Sequence, residues 1–140
     1  MRSHDIIEKM LRERQELLVA FCELTGLEPF ADDHPTRQPL ATFCQTLVDY
    51  AGLVHFEIFD KLADDGAADP VVRNLVRPLY QTLVDSTEGL VDFNDKYDAA
   101  TEGFSVEPLA EDLSRLGENL ASRFELEDRL IQLLRDMEQK

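Results

Sequence analysis

Along the 140-residue chain, apolar residues recur at steps of three, four or seven, the spacing that holds side chains on one face of an α-helix. No segment shows the strict alternation of a half-buried strand, and no internal repeat is visible. In residues 4–25 the stripe is Ile6, Ile7, Met10, Leu11, Leu17, Leu18, Phe21 and Leu24, with Gly26 as a C-terminal stop. Residues 26–39, with three prolines, two aspartates and a glycine, read as an exposed connector. A second helix is expected from near Pro39 to about Asp65, capped by Gly66, with a face of Leu40, Phe43, Cys44, Leu47, Tyr50, Ala51, Val54, Ile58, Phe59 and Leu62. Gly52 in its middle suggests a close helix approach or a local bend.

Asp69-Pro70 then supplies an N-cap followed by proline in the first helical turn. The third stripe, Val72, Leu75, Val76, Leu79, Leu83, Leu90, Val91, Phe93 and Tyr97, continues to about Tyr97, with a kink or break expected near Arg77 because Pro78 lies inside it. Residues 98–104 form the next connector. Ser105, Glu107 and Pro108 begin a last helix reaching about Met137, whose stripe is Leu109, Leu113, Leu116, Leu120, Phe124, Ile131 and Leu134. Four long helices joined by polar loops predict an all-α fold, an antiparallel up-down-up-down four-helix bundle in which residues 1–140 make one domain.

Two stripes are breached by charge. The seven-residue step from Phe124 to Ile131 passes over Glu127, with Arg123 four positions before it and Asp128 beside it. An unpaired buried carboxylate costs several kcal/mol, so Glu127 needs a partner, a proton or a wet opening. Arg14 interrupts the first stripe in the same way, and an internal Arg14–Glu127 pair answers both breaches. Tyr50 and His55 are the polar-capable members of the second stripe; taken alone, they read as a core tyrosine and a satisfied core histidine.

Charge narrows the function. There are 14 Lys plus Arg against 29 Asp plus Glu, a formal net charge of −15, which disfavours direct contact with a nucleic-acid backbone and suits a basic protein partner. The acidic residues are spread along the chain and form no tail, so solubility or a salty cytoplasm is an equal explanation. Cys22 and Cys44 fall in apolar helical stretches without C-x-x-C spacing, as in reduced cytoplasmic proteins, and no apolar run reaches the ~20 residues of a membrane span.

Catalytic signatures are missing: the sequence holds no G-x-x-x-x-G-K-S/T or G-x-G-x-x-G loop, no G-x-S-x-G elbow and no H-E-x-x-H helix. A binding protein without catalytic residues or cofactor is therefore expected. Carboxylate di-metal bundles use Glu-x-x-His, which does not occur, and of three histidines His4 and His34 lie at a terminus and in a loop. The alternative retained is a degenerate haemerythrin-like bundle in which His55, Glu127 and Asp128 line a metal or small-ligand cavity.

The run Phe43-Cys44-Gln45-Thr46-Leu47-Val48-Asp49-Tyr50, followed by His55-Phe56-Glu57-Ile58-Phe59-Asp60, resembles the second-helix signature of the Rsd/AlgQ regulators. Leu116–Leu120 through Arg123–Ile131 resembles their last helix, and Arg12–Phe21 their first. Two departures are Val54, where the family carries glycine before the histidine, and Met10, near which a tryptophan is usual. The resemblance implies a cytoplasmic anti-sigma factor that binds the primary sigma subunit of RNA polymerase, mainly its C-terminal promoter-recognising domain, and keeps it from core enzyme and promoter. It implies no direct nucleic-acid contact and no membrane; exposed aromatics would also allow self-association. Carried over by position, Tyr50, His55 and Glu127 are expected in an internal polar cluster, which Arg14 joins through its pairing with Glu127, and Asp49, Phe56, Phe59, Arg123 and Asp128 in contact with sigma.

Overall fold

A computed structural model describes residues 3–30, 33–59, 70–97 and 107–138. Its described residues form four α-helices and no strand: α1 (Ser3–Thr25), α2 (Asp33–Leu53), α3 (Pro70–Tyr97) and α4 (Leu109–Glu138), with a π-helical turn, Val54–Phe59, continuing α2. Helix α1 packs on α2, α2 on α3, α3 on α4, and α4 returns onto α1, so the four enclose one apolar core and form a four-helix bundle. Contacts run in opposite directions along α1 and α2, and again along α3 and α4. Lys9, Arg14 and Phe21 meet Glu57, Tyr50 and Phe43, and Ser86 and Tyr97 meet Asn119 and Asp112.

The core follows the stripes. Ile7, Met10, Leu17 and Leu24 of α1 face Leu40, Phe43, Leu47 and Tyr50 of α2, with Leu83, Leu90 and Phe93 from α3. In α4 the buried positions Leu109, Leu113, Leu116, Leu120, Arg123, Glu127, Leu130 and Leu134 alternate steps of four and three as in a heptad seam, and Ile131 is buried beside them. Leu11, Leu18, Leu75 and Val91, expected on the inner faces, are exposed. For three of them an adjacent residue, Met10, Leu17 or Leu90, takes the inward direction.

Three local expectations need correction. Helix α2 starts at Asp33, six residues before Pro39, so the connector is shorter than its prolines suggested and His34 falls within the helix. Pro35 falls among the first-turn residues whose N–H groups have no helical acceptor, and Thr36 and Leu40 are buried, so core contact begins within that segment. Helix α3 is continuous through Pro78, so the break expected near Arg77 does not occur. Gly52 makes no close helix approach, since a Cβ there would meet nothing within 4 Å; it stands two residues before the change to π geometry. A close approach occurs at Gly117, where a Cβ would lie 3.1 Å from the Phe21 ring and α4 presses on α1. The expected end of the second helix near Asp65, the Asp69 cap and the 98–104 connector lie outside the described residues.

Candidate functional site

Two features stand out on this frame: a charged network through the middle of the bundle and an apolar groove on its surface.

The network is centred on Glu127, whose side chain is 1% exposed. Its Oε1 accepts from the Tyr50 hydroxyl and from Arg14 Nη2 at 3.1 Å, and its Oε2 accepts from Arg123 Nε at 2.9 Å. Arg14 also donates from Nε to the Tyr50 oxygen at 3.0 Å and from Nη1 to Asp128 Oδ1 at 2.8 Å. Its guanidinium carbon lies 4.6 Å from the centre of the Phe124 ring, which in turn packs edge-on against Tyr50. Arg123, 1% exposed, reaches across to α3, donating to Thr87 Oγ1 at 2.8 Å and to the Leu83 carbonyl at 3.3 Å. One connected set of polar contacts therefore touches all four helices. Two guanidiniums face two carboxylates, so the set is neutral in sum.

Burial pushes Glu127 above its ordinary carboxylate pKa, with Arg123, the Tyr50 hydroxyl and Arg14 opposing it. Tyr50 is pushed above its ordinary value by burial and then by the charge of Glu127. A phenol in that state stays protonated and serves as a permanent donor. The arrangement is structural in character: both oxygens of Glu127 are engaged by its neighbours, and the carboxylate is buried away from solvent.

Arg14, Tyr50 and Glu127 are thus brought together as the sequence suggested, but His55 is not with them. It lies on the π-helical turn, its ring 4.9 Å from that of Phe56 and 6.5 Å from that of Tyr80. Arg123, placed from the sequence among surface contacts, is an interior residue. Its signal was present: it sits four residues before Glu127, and the four-three rhythm of α4 passes through it. Asp49 and Phe56 are exposed, Asp128 is mostly exposed while bonded to Arg14, and the side chain of Phe59 lies outside the described set. Among the described residues no three His, Cys, Asp or Glu side chains are placed to hold a metal ion. The cavities that His55 lines do not include Glu127, so the geometry that the metal-bundle alternative required is not present among the described residues.

The groove runs between α2 with its π-helical turn and α3. Val48, Ala51, Gly52, His55 and Phe56 form one wall, and Thr87, Leu90, Val91 and Asn94 the other. Past His55 it continues along Val84 to Glu88 and Asp92. Phe56 is 67% exposed, Val91 49% and Val48 47%, a concentration of apolar surface on one face. Among the described residues no lysine or arginine lines either stretch. Sequence reasoning placed Val91 on the inner face because it adjoins the core position Leu90, whereas Val48 was left off the second stripe and is exposed.

Comparison with known proteins gives a consistent answer. Residues 1–135 match the family model described as regulator of RNA polymerase sigma(70) subunit, Rsd/AlgQ. The chain is 35% identical over 135 residues to a "Regulator of sigma D" of Yersinia enterocolitica serotype O:8, covering 93% of this chain and 80% of that protein. A protein of the same name from Sodalis glossinidius is 32% identical over 133 residues, covering 93% and 88%. No solved structure gives a significant match.

Proposed function

The chain belongs to the Rsd/AlgQ family of regulators of the RNA polymerase sigma(70) subunit, and from that premise we propose that it acts as an anti-sigma factor. It binds the primary sigma subunit, chiefly through that subunit's C-terminal promoter-recognition domain, and withholds it from core enzyme and promoter. The observation that carries this reading is the family match over nearly the whole chain, with high coverage of both partners.

The physical character of the molecule supports it. A helix-turn-helix domain that reads DNA presents a basic face, and a body of net charge −15 attracts that face over a Debye length of about 8–10 Å. Apolar anchors then fix the complex. The family is one of regulators, and the reading assigns the chain no bond-making step. No helix among the described residues is long and apolar enough to cross a membrane. Sigma acts in the cytoplasm, and the proposal places the protein there. Among the expected contact residues, Asp49, Phe56 and Asp128 retain exposed side chains; Arg123 does not.

Titration of the purified protein against the primary sigma subunit, both full-length and as its isolated C-terminal domain, tests the proposal. A stable complex at micromolar concentration that weakens as salt rises is expected. Absence of any complex at micromolar concentration and moderate salt overturns it.

A further inference from the structure

We infer that the cleft between the C-terminal half of α3 and the N-terminal half of α4 binds a small, flat monocarboxylate, whose anionic group is received by Lys96 and Arg115. The inference is independent of sigma binding. It concerns another side of α3: the cleft is walled by Gly89, Phe93 and Lys96, the groove toward α2 by Thr87, Leu90, Val91 and Asn94.

The cleft has the size and make-up of a small-ligand site. Its volume is about 310 Å³, at the lower end of the ~300–1,000 Å³ usual for such sites. Phe93 and Leu116, both buried, give it an apolar floor. A Cβ at Gly89 would come within 2.6 Å of Asn119 Nδ2, so the glycine lets the amide of α4 sit against α3. There Asn119 donates to the Ser86 carbonyl at 3.3 Å and accepts from the Ser86 hydroxyl at 2.7 Å, which fixes one wall.

Charge selects the ligand. Asp112 is already neutralised from within the cleft, where Lys96 Nζ donates to its Oδ2 at 2.7 Å and the Tyr97 hydroxyl donates to the same oxygen. An ammonium has three N–H groups, so Lys96 keeps donors for a second acceptor. Arg115 donates to Glu111 one turn before it, in a pair whose side chains are 70% and 69% exposed, and such pairs contribute little. Its guanidinium can exchange that carboxylate for a ligand's, and its planar fork matches a planar carboxylate. Two cations from facing helices thus meet at one cleft of a chain of net charge −15, whereas among the described residues no lysine or arginine lines the groove between α2 and α3. Asp92, exposed at the rim and outside these pairs, disfavours a ligand of multiple charge and so favours a monocarboxylate over a phosphomonoester.

Titration of the isotope-labelled full chain with benzoate, followed by its backbone amide resonances, tests the site; phenyl phosphate, inorganic phosphate and benzyl alcohol are compared. Benzoate is expected to bind with a Kd on the order of millimolar, moving the resonances of residues 89–97 and 112–119. Benzyl alcohol lacks the charge and inorganic phosphate the ring, and each should bind roughly fivefold more weakly or worse. Arg115→Ala and Lys96→Ala should each weaken benzoate by roughly fivefold or more. Arg129→Ala, which removes the same charge from an exposed position further along α4, should bind it like wild type. Melting temperatures verify each fold; where one fails, Arg115→Lys, which keeps the charge and loses the fork, should also weaken benzoate. The inference is overturned if benzoate up to ~20 mM leaves those resonances in place, or if Arg129→Ala weakens binding as much as Arg115→Ala. Inorganic phosphate binding as well as benzoate overturns it in favour of a plain cationic patch, and phenyl phosphate binding more tightly than benzoate overturns it in favour of a phosphomonoester site.

Discussion

Replacing Glu127 by leucine should lower the stability of the fold by roughly 2–3 kcal/mol, and the reason lies mostly in Arg123. With the carboxylate gone, Arg14 keeps its contact with Asp128 and, with 13% of its side chain already exposed, turns toward water. Arg123 has no such exit: it is 1% exposed, and the groups left to it are the neutral oxygens of Leu83, Ser86 and Thr87. Stranding one member of a buried ion pair costs about 3–5 kcal/mol. Leucine at position 127 returns part of this, at most the ~1.5–3 kcal/mol of a fully buried leucine and less beside polar neighbours. For a domain of this size the net loss corresponds to a fall in melting temperature of roughly 6–12 °C. Urea unfolding followed by circular dichroism measures it directly. The double variant Arg123→Met/Glu127→Leu, which removes both charges, should recover to within about 1 kcal/mol of wild type. A single variant as stable as wild type, or a double variant no better than the single, would refute the claim that a stranded guanidinium sets the loss.

Three further outcomes follow from the same geometry. Tyr50 and Tyr97 are held above the ordinary phenol value of 10, each by burial first and then by Glu127 or Asp112 respectively; their stabilisation is complete below pH 10 and lost as pH rises through the folded values. Absorbance at ~295 nm should therefore show two of the three tyrosines ionising only as the protein unfolds in alkali, and early ionisation of all three would contradict it. Burial alone would raise Asp112, but hydrogen bonds from Lys96 and Tyr97 and the charges of Lys96 and Arg115 hold it below 3.8. Its contribution is present above that value and disappears as pH falls through the lower folded value, so the stability gap between wild type and Asp112→Asn should narrow on acidification below about pH 4. Gly52→Ala, at a helical site where the new methyl meets nothing within 4 Å, should stabilise the fold by about 0.5–1 kcal/mol in the same urea experiment, and a loss would show that the site is more crowded than the structure indicates.

Much of this was legible in the chain because helical periodicity is a strong local signal. The α1 and α4 stripes, the Pro70 start, the breach at Glu127 and its pairing with Arg14 could all be read from spacing and from the penalty on a lone buried charge. What spacing could not supply was direction at the edges of each stripe. Met10 is fully buried while its neighbour Leu11 is exposed, and hydrophobicity alone does not distinguish the two. Arg123 was misplaced because a long cationic side chain usually escapes to water, and only the carboxylate one turn later with acceptors on another helix, Thr87 among them, makes its burial tolerable. The start of α2 was hidden by Pro35 and Pro39: Pro35 is harmless in the first turn, and Pro39, which usually marks a helix start, is accommodated inside the helix. The π-helical turn leaves almost no trace in a hydrophobic pattern, and with it the position of His55 away from the interior network was unreadable.

The Arg123–Glu127 pairing has a consequence for descent as well as for folding. Losing either member alone leaves its fellow marooned, whereas losing both together is nearly harmless, so a lineage can leave this arrangement only by a paired change or through a debilitated intermediate. Relatives should therefore present the two as a unit, kept jointly or exchanged jointly for aliphatic residues, and seldom one without the other.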